Sequence, residues 1–242
     1  MTDVFIGSLL AGLATGLGAL PILFIKRLTH KWHDILLAFA GGVMLAAAML
    51  SLIPEALSFG SLNHLIIGLV LGVITLSVLE KTIPHIHWQK HNKKIVIDEK
   101  AMLVIAALTL HNLPEGLAMG VSYASGQEDL GSLVAIAIGV QNAPEGLLVA
   151  LFLIRQKINR FVALLIATAT GLIEVLTALL GFYLTNIFEN LVSYGLAFAA
   201  GAMLFIIYKE LIPESHGDGH ARPATHSFII GILFMITLIE IF

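Results

Sequence analysis

A chain of 242 residues, 58% hydrophobic and only 12% charged, with a mean hydropathy of +0.95, falls outside the soluble globular class, where roughly 25% of residues are charged. It contains no cysteine, which excludes disulfides and thiolate metal ligation. The net charge of -3 says little, because the placement of the charges matters more than their sum, and no nucleic-acid partner is expected.

In chain order, eight apolar runs are long enough to cross a bilayer, which takes about 20 helical residues. They are predicted at 4–25, 35–59, 62–79, 101–124, 130–154, 162–185, 191–208 and 227–239. This implies an all-α polytopic membrane protein with one transmembrane domain over 1–242 and a His-containing loop at 80–100. All 13 Lys and Arg fall in loops on one side, from Lys26 and Arg27 through Arg155 to Arg222. The opposite loops carry Gln127, Glu128, Asp129 and Glu189. By the positive-inside rule the basic loops are cytoplasmic and both termini lie outside.

Two segments recur. Phe39-Ala40-Gly41-Gly42-Val43-Met44-Leu45 returns as Phe198-Ala199-Ala200-Gly201-Ala202-Met203-Leu204, and Leu52-Ile53-Pro54-Glu55 as Leu211-Ile212-Pro213-Glu214. Ala14-Thr15-Gly16-Leu17 similarly returns as Ala169-Thr170-Gly171-Leu172. Spans one to three therefore resemble spans six to eight. Partners five spans apart point in opposite directions, so the repeat is inverted around a central, kinked pair of spans four and five. Inverted repeats with a midplane site are a transporter signature.

The central pair carries a repeat of its own: His111-Asn112-Leu113-Pro114-Glu115-Gly116 and Gln141-Asn142-Ala143-Pro144-Glu145-Gly146. A carboxylate at membrane depth costs roughly 2.5–3.5 kcal/mol on insertion scales, so two adjacent copies require a reason. Positions i, i+1 and i+4 share one broad helix face. His111, Asn112 and Glu115 can thus oppose Gln141, Asn142 and Glu145 as a cage for a divalent metal. Pro114 and Pro144 free the carbonyls of Leu110 and Val140, which can turn toward the cavity. Gly116 and Gly146 admit close helix approach. Glu174 in span six is a third intramembrane acid and the natural additional oxygen ligand. Three carboxylates sharing one cavity cannot all stay ionised without cations, so metal binding is expected to displace protons.

Secondary candidates lie toward the basic side. Glu80, His85 and His87 read as a loop metal site, and His220 and His226 divide evenly between ligation and plain solvation. His30 and His33 flank a basic loop, and His64 reads as structural. Glu55, Glu210 and Glu214 sit at span ends, with Glu210 an additional metal candidate and Glu214 placed to meet a leaving ion. The methionines read as packing.

The paired motif resembles that of the ZIP (Zrt/Irt-like) family of divalent metal transporters, and the resemblance covers the whole chain. It implies no catalytic residues and no organic cofactor, with Zn²⁺ or another divalent metal as cargo. It also implies one metal held by His111, Glu115, Gln141 and Glu145. A second would use Asn112, Glu115, Asn142, Glu145 and Glu174, with Glu115 and Glu145 bridging. A homodimer in the lipid bilayer, import into the cytoplasm, and movement of spans one, four, five and six against the rest follow from the same likeness. A bacterial inner membrane is expected from the compact chain. Gln141 stands where many members have His and is similar to the bacterial branch often called GufA-like. Asn142 stands where some have Asp, and Lys209 where many have His. More oxygen and less imidazole makes a harder site, which extends the expected cargo to iron, manganese or cadmium. The competing readings are a membrane metalloenzyme, for which the His-Glu-x-x-His pattern is missing, and a channel-like conductor.

Overall fold

The computed structural model describes residues 1–25, 28–82, 99–127, 129–188, 191–217 and 219–242. All regular structure among them is helical and forms eight rods. These are α1 (Thr2–Leu23), α2 (His30–Ser58), α3 (Leu62–Thr82), α4 (Glu99–Ala124), α5 (Leu130–Arg155), α6 (Arg160–Ile187), α7 (Leu191–Ser215) and α8 (Ala221–Ile241). All but α4 meet a membrane-crossing standard of length and apolarity among the described residues. α4 has 26 residues, about 39 Å of helix at 1.5 Å per residue, and carries the first polar motif.

The helices outrun the apolar runs at the basic end. α2 begins at His30 rather than 35, because the Thr29 hydroxyl accepts from Trp32 N–H and caps the first turn. α7 continues to Ser215 and α8 starts at Ala221, so polar residues of both ends are helical. α4 and α5 each run unbroken through their proline, Pro114 and Pro144.

α2 and α7 share a local irregularity at equivalent places. Each widens into a π-helical turn, Ala48–Leu52 and Ile207–Leu211, just before Pro54 and Pro213. A proline withholds its N–H from the preceding turn, and the wider turn absorbs the mismatch. The sequence repeat is therefore also a structural one.

Helix pairing obeys the same inverted symmetry. α4 packs most extensively on α6, as α5 packs on α1; α2 packs on α8, as α3 packs on α7; and α1 meets α6 across the centre. Two groups result, α1-α4-α5-α6 and α2-α3-α7-α8, joined mainly by α4 against α7 and α2 against α5. Inside each group glycines bring backbones together. A Cβ at Gly12 would meet the Gly171 carbonyl, at Gly146 that of Thr15, at Gly42 that of Phe228, and at Gly201 that of Leu69. With no aqueous hydrophobic drive between helices in lipid, such close packing is what holds them.

Candidate metal site

All seven motif residues are buried. His111 and Glu145 retain 8% and 5% exposure, and Asn112, Glu115, Gln141, Asn142 and Glu174 retain 1% or less. Burial of this many polar groups is tolerated only where each has a partner or a ligand.

The partners lie on the repeat-related helices α6 and α1, one turn apart in the repeat alignment. From α4, the Asn112 amide donates to the Thr170 carbonyl of α6 at 2.7 Å. From α5, the Asn142 amide donates to the Ala11 carbonyl of α1 at 3.0 Å and to Glu174 Oε1 at 2.8 Å. Gln141 Nε2 donates to Glu115 Oε1 at 2.5 Å, tying α5 to α4. The repeat alignment puts Ala19 of α1 opposite Glu174 of α6, so the third carboxylate breaks the symmetry and makes one side of the site richer in oxygen.

Six oxygens in this cluster have no hydrogen-bond partner among the described residues: Glu115 Oε2, Gln141 Oε1, Asn142 Oδ1, both carboxylate oxygens of Glu145, and Glu174 Oε2. The amide nitrogens of Gln141 and Asn142 are occupied while their oxygens are left over, a donor set suited to a hard or borderline cation. His111 complements it. Its Nδ1 lies 2.9 Å from the Ala107 carbonyl. A carbonyl can only accept, so Nδ1 carries the proton and Nε2 keeps the lone pair a metal needs. Among the described residues no three His, Asp or Glu side chains already close around a single point. The candidate site mixes carboxylate with amide oxygen, and Glu115 and Glu174 are each held by an amide.

A cavity of about 210 Å³ reaches this cluster from the basic end. Its lining runs from His33, Glu210 and Glu214 to His111 and Glu145, between apolar walls that include Leu148 and Phe152. Toward the other end Met44, Met119, Val134 and Ile138 pack in one apolar cluster. The cavity at the basic end is the one that His111 and Glu145 line.

The secondary candidates divide. Glu210 lies in the π-helical turn of α7 and places Oε2 3.3 Å from His111 Nε2 across the boundary between the helix groups, two acceptors spaced as ligands of one cation are. Glu80 is paired with Lys209. His85 and His87 lie outside the described residues, as does most of the 80–100 loop. Sequence reasoning missed Asp34, a fully buried carboxylate in the first turns of α2. The acid beside His33 was the available signal, masked by its position at the edge of an apolar run. His33 itself lines the cavity and does more than flank a loop.

An integral membrane protein with buried carboxylate, amide and imidazole donors at the end of a cavity belongs by class among metal-ion transporters. The family profile described as ZIP Zinc transporter matches residues 89–239, and this chain is a member of that family. It is 38% identical to zinc transporter GufA of Myxococcus xanthus, over 96% of this chain and 96% of that one. It is 35% identical to zinc transporter ZIPB of Bordetella bronchiseptica, over 93% of this chain and 76% of that protein. With zinc transporter ZupT of Streptococcus mutans the identity is 30%, over 98% and 97%.

Proposed function

We propose that this chain carries Zn²⁺, and also Fe²⁺, Mn²⁺ or Cd²⁺, into the cytoplasm through a two-metal site on α4, α5 and α6. His111, Glu115, Gln141 and Glu145 hold the first ion. Asn112, Asn142 and Glu174, with Glu115 and Glu145 bridging, hold the second. The observation that carries this reading is the set of six unpartnered buried oxygens at the end of the cavity. Their desolvation is costly in the absence of a cation.

Movement of α1, α4, α5 and α6 as one body past α2, α3, α7 and α8 is the alternating-access step. Glycine-to-backbone packing inside each group supports rigid bodies. The side-chain seam of Val43, Ala46, Ala47, Leu133 and Ala137 between α2 and α5 supports sliding. In this reading the protein works as a homodimer in a bacterial inner membrane. The termini face outward and the 80–100 loop faces inward with the other basic loops. No enzymatic step and no organic cofactor enter it.

Uptake of radioactive zinc by proteoliposomes tests the site. Native protein should give saturable flux, and Glu115→Ala and Glu145→Ala should each abolish it with folding intact. Tight binding without flux in the native protein would instead favour an enzyme or a sensor.

A further inference from the structure

Asp34 is the one fully buried acid outside the transport cluster among the described residues. Removing a carboxylate from water costs several kcal/mol unless a counter-charge or good hydrogen bonds replace the hydration. The groups that meet Asp34 do this poorly. His33 Nδ1 stands 3.6 Å from its Oδ1, and His220 Nδ1 stands 3.3 Å from its Oδ2. A charge-assisted N–H···O bond is about 2.7–2.9 Å, so neither contact is a tight ion pair. Both His33 Nδ1 and Asp34 Oδ1 lack a hydrogen-bond partner among the described residues.

Those separations have another geometric meaning. Two ligands at about 2.0–2.1 Å from a tetrahedral zinc stand about 3.3–3.4 Å apart. The His33 nitrogen and the carboxylate are thus spaced as neighbouring ligands are, and the long hydrogen bond from His220 has the same spacing. Glu214 stands at the other edge of the His33 ring, its Oε1 3.9 Å from Nε2.

We propose that His33, Asp34 and His220, with Glu214 beside them, form a separate binding site for a zinc-like divalent cation at the mouth of the cavity. The buried carboxylate is the fixed element. His220, whose side chain is 37% exposed, turns the short remaining distance, and water completes the shell. The site bridges the start of α2 to the connection between α7 and α8. It therefore lies wholly on one helix group, while the transport cluster lies on the other. His33 and Glu214 line the same cavity as His111 and Glu145. An ion leaving the transport cluster toward the basic end therefore passes the mouth site. Occupancy there would clip the α7–α8 connection to α2 and report the metal level on that side.

The choice of cation rests on the transport reading, but the site's existence does not. The full chain carrying Glu115→Ala and Glu145→Ala silences the transport cluster. It is purified in detergent, loaded with Co²⁺ as the probe, and freed of excess metal. With His85→Ala and His87→Ala added so that the loop candidate is silenced too, we expect one Co²⁺ per chain with the intense visible absorption of a tetrahedral N/O site. Adding Asp34→Asn should remove that ion and its absorption, whereas adding His226→Ala should not. Should Asp34→Asn fail to fold, the part-exposed His220→Ala and His33→Ala must each weaken binding at least tenfold. Absence of bound Co²⁺ in the silenced chain, or retention of the band in Asp34→Asn, would overturn the proposal. Zinc uptake by the native chain, read separately, decides the transport reading whichever way the mouth site falls.

Discussion

Contacts inside a helix group and contacts between the two groups are built differently. Within α1-α4-α5-α6 and within α2-α3-α7-α8, glycines set backbone against backbone, as Gly12 does with Gly171 and Gly231 with Phe39. Between the groups, Gly195 of α7 meets only the side chain of Val121 in α4. The rest of that boundary is apolar side chains such as Met119, Val134 and Ile138 on one group and Met44, Leu196 and Ile207 on the other. Among the described residues polar side chains meet across it at His111 and Glu210 toward the basic end, and at Gln127 and Glu55, 3.3 Å apart, toward the other. Interlocked backbones resist displacement, whereas smooth apolar surfaces can slide and repack.

The comparison predicts a hierarchy of effects. The largest belongs to the seams within a group. In Gly146→Leu the new side chain begins on the Thr15 carbonyl, backbone that cannot yield cheaply. Overpacking costs about 1–3 kcal/mol, and more where no side chain can move. We expect loss of monodisperse folded protein on size-exclusion chromatography, and a native elution profile and melting point would break the comparison.

A smaller effect belongs to the polar pair between groups. Glu210→Gln removes the charge that faces His111 across the boundary and leaves the fold and the buried cluster in place. Maximal zinc flux should fall several-fold with little change in the concentration giving half-maximal flux, measured by a fluorescent zinc indicator inside liposomes. An unchanged maximal rate would show that Glu210 takes no part in passage.

Much of this was legible before any coordinates. Apolar runs announced the helices because bilayer thickness leaves little choice of element or length. The polar motifs of α4 and α5 stood out because acids at membrane depth are expensive. The internal repeats reappear as matched π-helical turns, a local detail that the recurring Pro-Glu did not itself announce. Three features were not legible. Asp34 sits at the edge of an apolar run, where interfacial exposure is the ordinary expectation, and only helix packing folds it inward. Glu80 looked like a ligand beside histidines, but the fold brings it to Lys209, distant in sequence. The division into two groups depends on which glycine faces which backbone, and spacing along one helix does not encode that. The likeness to a known family supplied it.

The absence of native cysteine makes the central claim directly testable. A Cβ at Gly195 would stand 3.6 Å from that of Val121, across the boundary, and one at Gly139 would stand 3.9 Å from that of Ala11, inside one group. Both fall within the disulfide range of about 3.5–4.5 Å. Zinc flux should be measured for the Val121→Cys/Gly195→Cys and Ala11→Cys/Gly139→Cys pairs before and after oxidation. If the groups slide as bodies, oxidation stops flux in the first pair, reduction restores it, and the second pair transports throughout. Native flux through the fully oxidised Val121→Cys/Gly195→Cys protein would contradict the account.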